Sequence, residues 1–247
     1  MLSGRLTSEE LNKRPSLYKI FYLLVPIVIY YLVTDITEVI LWSVVNVIFS
    51  GASEEMLMEV SKYSGTIQGL IYGVGIVISV LILKTMVINE VTFVPENEEK
   101  PSLVWWQILV LIATAAVVSI ALNWGIQATG MVDASESFKS VYDSQYSVNF
   151  ISGLVLYGLL SPTMEEIMFR GILYNRMKRM FPIPLSIVVS SVLFGVFHGN
   201  LVQGVYGTLM GLMIVLFYEK WKSFAAPVIV HSVANLTIYI LSYTLWK

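Results

Sequence analysis

The chain has 247 residues, of which 56% are hydrophobic and only 13% are charged, and its mean hydropathy is +0.74. Soluble domains usually carry about a quarter of their residues as charged ones, so this composition excludes an ordinary soluble domain. The net charge of −2 gives no basis for nucleic-acid binding. The absence of cysteine excludes disulfides, thiolate catalysis and cysteine–zinc sites.

The N-terminal segment is polar, and Thr7 with Glu10 has the spacing of a capping box that starts a short helix before Pro15. This segment is too polar for a cleavable signal peptide. We expect residues 1–16 to be a cytoplasmic segment and residues 17–147 to form N-terminal transmembrane helices and loops. Residues 148–247 are expected to form a catalytic transmembrane core.

Apolar runs long enough to cross a membrane dominate the rest of the chain. We therefore predict an all-α, polytopic integral membrane bundle of about seven transmembrane helices, or eight if Asp35 and Glu38 interrupt the first one. Polar loops are expected at 92–102 and 130–147. The predicted helices cover residues 17–50, 64–91, 103–129, 148–179, 183–199, 201–219 and 223–246.

Lysine and arginine are distributed unevenly between the two sides of this topology. One side carries Arg5, Lys13, Arg14, Lys19, Lys84, Lys100, Arg176, Lys178, Arg179, Lys220 and Lys222. The other side carries Lys62, Lys139 and Lys247. The positive-inside rule then predicts a cytoplasmic N-terminus, and the size of the chain is typical of a bacterial cytoplasmic membrane protein.

Three formal charges interrupt the fourth apolar run, where an ionisable group costs a few kcal/mol and indicates a functional role. Glu166 and Arg170 have the i,i+4 spacing of a helical ion pair, whereas Glu165 points about 100° away around the helix. Pro162 removes a backbone donor, which we expect to leave the Gly158 carbonyl free and to kink the helix. The alternative is a purely structural ion pair beside a protonated glutamate.

The two histidines of the chain both lie in apolar runs. His198 ends the fifth run, while His231 and Asn235 share one face of the seventh. At about 1.5 Å per residue, we place Glu165, His231 and His198 about 16, 12 and 22 Å from the cytoplasmic side. If tilt brings them together, a carboxylate, two imidazoles and a carboxamide would suit water activation and oxyanion stabilisation. Each alone is also compatible with structural packing.

The segments EEIMFRG at 165–171, FGVFH at 194–198 and HSVAN at 231–235 resemble, in order, the motifs EExxxR, FxxxH and HxxxN of the CAAX protease and bacteriocin-processing family. This family of intramembrane endopeptidases includes the Ras-converting enzyme, which removes the last three residues of prenylated CaaX proteins. Its bacterial members are linked to bacteriocin immunity or peptide processing. The resemblance covers about the last 100 residues.

The resemblance implies that Glu165 and His198 activate the attacking water, and that His231 and Asn235 stabilise the oxyanion. It implies a supporting role for Glu166 and Arg170. The expected partners are the lipid bilayer and a membrane-associated peptide or protein, with no nucleic acid. No cofactor is expected for this glutamic-type mechanism.

Two alternatives stay open at the level of sequence. Zinc is a possible cofactor, with Glu165, His198 and His231 as ligands of a metalloprotease, although the chain has no HExxH motif. A non-proteolytic membrane protein, either an immunity factor or a proton-coupled transporter, is the second alternative. Buried Glu and His side chains also serve proton relays, and Asp35 and Glu38 would join such a relay.

Overall fold

The computed structural model describes residues 5–91 and 102–245, and these residues form helices with no strand among them. The predicted loop at 92–102 lies almost wholly outside the described residues, as do Lys100 and Lys247. The α-helices of the first part are α1 Ser8–Asn12, α2 Ser16–Ile48, α3 Glu54–Ser61, α4 Ser64–Val91, α5 Trp105–Ala128, α6 Met131–Ala134 and α7 Glu136–Tyr146. The predicted capping box is present, with Thr7 and Glu10 bonded reciprocally at the start of α1.

The later α-helices are α8 Phe150–Val155, α9 Ser161–Glu166, α10 Asn175–Met177, α11 Ile183–Val196, α12 Leu201–Trp221 and α13 Ala225–Leu245. Two π-helical segments, Leu156–Leu160 and Ile167–Tyr174, join α8, α9 and α10 into one run. This run, residues 150–177, is called the motif helix below because it carries the two glutamates. The axis of the motif helix is bent by 115° from that of α7.

The predicted all-α membrane bundle is confirmed, but the count of seven spans is not. Among the described residues, five helices are long and apolar enough to cross a membrane, and a sixth if α7 and the motif helix form one bent span. Helix α11 has 14 residues and is too short for this criterion. The first span is a single helix, because Ser16–Ile48 runs past both Asp35 and Glu38 without a break.

The helices bury little of their apolar surface inside the protein, as expected where lipid covers the rest. Only 17% of the most apolar window of α5 is buried, and 33% of that of α2. One core cluster joins α2, α4, the motif helix and α11, and a second joins α5, α12 and α13. The motif helix belongs to the first cluster and also contacts α13 of the second, so it joins the two parts of the bundle.

Glycines allow the closest approaches between these helices. A side chain on Gly69 or Gly73 of α4 would lie 2.8 Å from the Leu156 side chain of the motif helix, as the GxxxG spacing predicts. On α12, a Cβ at Gly207 would lie 3.2 Å from the His198 ring, and one at Gly211 would lie 3.1 Å from Nη2 of Arg170. The second glycine pair thus makes room for two groups of the predicted site.

Several helix ends that the topology assigns to one side do lie together. Glu90 at the end of α4 accepts hydrogen bonds from Arg176, Arg179 and the Tyr22 hydroxyl of α2, at 3.0, 2.8 and 3.0 Å. At the end of α12, Glu219 pairs with Lys178 at 2.7 Å. The cations predicted for one side are therefore tied to one another through shared carboxylates.

Candidate active site

Glu165 is held by its own helix and faces the seventh apolar segment. The Ser161 hydroxyl, one turn earlier, donates to Oε1 of Glu165 at 2.7 Å. Oε2 of Glu165 lies 3.8 Å from Nε2 of His231 on α13, which is an ion-pair distance and not a hydrogen bond. Glu165 retains 21% exposure of its side chain, whereas Glu166 next to it is fully buried. The 100° separation predicted from the sequence therefore gives the two glutamates different environments.

The buried carboxylate of Glu166 forms hydrogen bonds with both Arg170 and His231. Its Oε1 accepts from Nη1 of Arg170 at 2.7 Å, which confirms the predicted i,i+4 pair, and lies 2.7 Å from Nδ1 of His231. Arg170 also donates from Nη2 to the Gly211 carbonyl at 2.9 Å and lies 4.4 Å from the centre of the Phe194 ring. Helical spacing could predict the ion pair, but it gave no sign of the bond to His231, which is 65 residues further on.

The bond to Glu166 decides which nitrogen of His231 carries a hydrogen. A buried carboxylate only accepts when ionised, so the hydrogen lies on Nδ1 of His231 and the neutral ring presents Nε2 as an acceptor. His231 can then donate from Nε2 only as an imidazolium. Oε2 of Glu165 is the carboxylate oxygen that this nitrogen faces.

His198 lies in the turn between α11 and α12. Helix α11 begins after Pro182, with Pro184 in its first turn, and the chain reverses at Gly199, whose φ is +73°. Nδ1 of His198 lies 2.8 Å from the Phe194 carbonyl, so this nitrogen carries the hydrogen and Nε2 is an available acceptor. The FxxxH spacing thus lets a backbone carbonyl orient the ring.

Asn235 caps a carbonyl that the proline of the motif helix leaves free. Its Nδ2 donates to the Tyr157 carbonyl at 3.0 Å. The Ser161 amide bonds five residues back, to the Leu156 carbonyl, so the next amide in this π-helical register would bond to Tyr157. That next residue is Pro162, which has no N–H. The π-helical register therefore leaves the Tyr157 carbonyl without its helical donor, and Asn235 supplies one.

Two cavities meet at the predicted catalytic groups. One, of about 230 Å³, is lined by Glu165, His198 and residues of α2 and α4. The other, of about 470 Å³, is lined by Glu165, His198 and Asn235 with residues of α7. His231 packs beside them, because the ring of Phe194 lies 5.4 Å from His231 and 5.0 Å from His198. All four residues predicted to be catalytic therefore converge.

Sequence reasoning missed a pair of tyrosines at the same place. The hydroxyls of Tyr30 on α2 and Tyr72 on α4 lie 2.9 Å apart, and Tyr72 lines both cavities. Tyrosine in an apolar run gives no periodic or motif signal that separates it from membrane packing. Only the tertiary contact of α2 with α4 identifies these hydroxyls as neighbours of Glu165.

A metal ion is not favoured by the arrangement of side chains. Within residues 5–91 and 102–245, no three His, Asp or Glu side chains form a group that could hold one. Nδ1 of His231 is taken by Glu166 and Nδ1 of His198 by the Phe194 carbonyl, so only Nε2 of each histidine could meet a metal together with Glu165. No step below passes through a metal.

Comparison with known proteins points to one family. The family model "Type II CAAX prenyl endopeptidase Rce1-like" matches residues 147–237, which include all three motifs. A curated relative, "Putative membrane peptidase YdiL" of Bacillus subtilis (strain 168), is 25% identical over 112 residues, which are 45% of this chain and 45% of the relative. No solved structure matches the chain. These matches confirm the resemblance predicted from the motifs, and residues 147–237 are similar to the Rce1-like family of CAAX prenyl endopeptidases.

Proposed function

We propose that the protein is an intramembrane endopeptidase in which Glu165 and His198 activate a water molecule for attack on a peptide bond. The observation that carries this proposal is that three motifs far apart in the sequence meet at one cavity. Glu165 and His198 both line this cavity, and Nε2 of His231 lies 3.8 Å from Oε2 of Glu165. The carboxylate of Glu165 accepts one proton of the water, and the free Nε2 of His198 accepts a hydrogen bond from the other.

The substrate oxygen that becomes negative requires donors already in place. Asn235 has two amide hydrogens and donates one to Tyr157, so the second is available for this oxygen. Nδ1 of His231 is held by Glu166, and a proton taken up from solvent on Nε2 before the attack lets the ring donate to this oxygen. His231 keeps that proton through the step. Glu165 then returns the proton to the leaving amine, which balances the hydrolysis. Glu166 and Arg170 hold His231 in orientation and do not touch the substrate.

The location of the cavities among membrane helices supports a membrane-associated substrate. A membrane-associated peptide or protein is the proposed substrate, of CaaX type or of the kind processed with bacteriocins. The proposed location is the bacterial cytoplasmic membrane with the N-terminus in the cytoplasm. The pairing of Arg176 and Arg179 with Glu90 supports this topology, because it joins the cations after the motif helix to the end of α4 that the topology assigns to the same side.

Cleavage of a peptide library by the detergent-purified protein tests this function, with products identified by mass spectrometry. Glu165→Ala and His231→Ala are expected to lower the rate by about 10²–10⁴-fold, the contribution of a general base or an oxyanion donor. Glu54→Gln, an exposed substitution on α3, is the matched control and should retain the rate. Cleavage that survives Glu165→Ala, or the absence of any cleavage by the wild type, would refute the proposal.

Two further measurements distinguish this proposal from the metalloprotease and from the non-proteolytic immunity protein. Activity is expected to persist in a chelator, whereas loss that added zinc restores would indicate the metalloprotease mechanism. If the protein protects cells from a bacteriocin, protection that persists in Glu165→Ala indicates binding and not hydrolysis.

A further inference from the structure

One wall of the smaller cavity carries carboxylates that the proposed mechanism does not use. Tyr31, Thr34, Asp35 and Glu38 of α2 all line it, together with Glu165 and His198. Their spacing of three, four and seven residues from Tyr31 places them on one face of the helix. Tyr31 sets the position of this face: its hydroxyl donates to the Phe197 carbonyl at 3.3 Å, beside His198.

Asp35 has no partner in the part of the chain that the structure describes, where no hydrogen bond or ion pair involves it. Glu38 is held through one oxygen, which accepts from Nε2 of Gln68 on α4 at 2.9 Å. Gln68 in turn accepts from the Trp42 indole at 2.5 Å, so the Glu38 carboxylate is fixed in place. The side chain of Asp35 is exposed and lines the cavity, so a ligand that enters the cavity can reach it. An ionisable residue in a membrane segment is a candidate functional residue.

The cavities contain no residue that would neutralise these charges. A third cavity, of about 310 Å³, adjoins His198 and Asn235 between α5, α7, α12 and α13. No lysine or arginine is among the described residues that line these three cavities. Arg170, the nearest cation on the motif helix, is 1% exposed and committed to Glu166. In the smaller cavity, Asp35, Glu38 and Glu165 therefore lie together without a lysine or arginine among the described lining residues.

We propose that Asp35 and Glu38 select a substrate with a cationic group, a Lys or Arg side chain or an N-terminal ammonium, near the cleaved bond. The inference rests on the proposed function of the same cavities. Asp35 and Glu38 lie about 6 and 11 Å along the helix axis from Tyr31, at 1.5 Å per residue. An extended peptide covers that distance in about two to four residues.

This charge distribution disfavours one substrate that the family resemblance implies. A CaaX protein would place its free carboxylate three residues from the cleaved bond, and neither cavity wall offers a cation to receive it. The charges favour cleavage of an internal bond next to a basic residue.

The test uses a cleaved peptide in which Lys, norleucine or Glu replaces each residue within about four positions of the cleaved bond. Norleucine differs from Lys by the ammonium group alone. At one position we expect kcat/KM for the Lys peptide to exceed that for the norleucine peptide by about twofold to fivefold, as for a partly exposed charge pair. The same peptide with an amidated C-terminus should be cleaved at least as fast as the free acid.

Substituting Asp35 and Glu38 tests whether these two carboxylates cause the preference for the Lys peptide. In Asp35→Asn/Glu38→Gln the Lys-to-norleucine ratio should fall to about one, while Glu54→Gln/Glu55→Gln makes the same change in net charge at exposed positions and should keep the ratio. Asp35→Lys should move the preference to the Glu peptide. A wild-type ratio near one, or a ratio unchanged in the double variant, overturns the inference while leaving the proposed function intact.

If no peptide is cleaved, measurements of peptide binding test the cation site independently of the proposed protease function. Wild-type protein in detergent micelles should bind the Lys peptide more tightly than the norleucine peptide by a similar factor. Tighter binding without cleavage supports the cation site and refutes the protease. Equal binding overturns the cation site.

Discussion

The buried pair of Arg170 and Glu166 gives the sharpest prediction about stability. Their side chains are 1% and 0% exposed, and Arg170 also donates to the Gly211 carbonyl and lies over the Phe194 ring. Arg170→Met keeps a side chain of comparable length but leaves the carboxylate of Glu166 without its cation. Breaking a buried pair in this way costs about 3–5 kcal/mol, because one charge remains buried alone.

For a protein of this size, about 1 kcal/mol corresponds to about 2–4 °C in Tm, so Arg170→Met should melt about 6–20 °C lower. Adding Glu166→Gln removes the stranded charge, and its amide oxygen can still accept from Nδ1 of His231. The double variant should therefore recover part of the lost stability. Thermal unfolding of the purified variants in detergent, followed by the loss of monodisperse protein, measures both differences.

An exposed ion pair of the same spacing provides the control. Lys13 and Glu9 are also four residues apart, but their side chains are 72% and 79% exposed, so Lys13→Met should leave Tm unchanged. The reasoning is refuted if Arg170→Met melts within about 2 °C of the wild type. It is also refuted if the double variant is less stable than Arg170→Met alone.

Three further predictions concern the site and the helix contacts that support it. Asn235→Ala should lower kcat by about 10²–10³-fold with little change in KM, because its amide serves the transition state; an equal rise in KM would contradict this role. Ser161→Ala removes the 2.7 Å hydrogen bond to Glu165 and should lower kcat several-fold without lowering Tm; an unchanged kcat would show that the bond does not orient the carboxylate. Gly195→Ala would bring a Cβ within 2.1 Å of the Thr208 hydroxyl of α12 and should destabilise the protein by about 1–3 kcal/mol, whereas Gly125→Ala, with nothing within 4 Å, should not lower Tm.

The helices and their order follow from the sequence, because a run of apolar residues in a membrane protein has few alternatives to a helix. The predicted segments 64–91 and 103–129 agree with α4 and α5 to within two residues at each end. The i,i+4 pair of Glu166 and Arg170 was equally predictable, since helical geometry alone brings these side chains together. The number of membrane spans could not be predicted in this way, because the helix Ile183–Val196 is apolar but short.

The depths calculated for the catalytic groups illustrate the limit of such reasoning. Straight helices place His198 about 10 Å further from the cytoplasmic side than His231. In the structure both rings contact Phe194, because α11 ends at Val196 and the turn before α12 carries His198 back to the motif helix. Tilt and helix length compensate for the difference, and neither is encoded in a periodic pattern.

Local chemistry along the chain therefore specifies a helical membrane protein, its order of segments and three motifs of known type. The packing of distant helices determines that Glu166 holds His231, that Asn235 caps Tyr157, and that Asp35 shares a cavity with His198. The physical reason is that helix propensity and hydrophobic periodicity reflect contacts between residues only a few positions apart in the sequence. Contacts across 65 or 78 residues depend instead on crossing angles, close approach at glycines and the π-helical turns around Pro162.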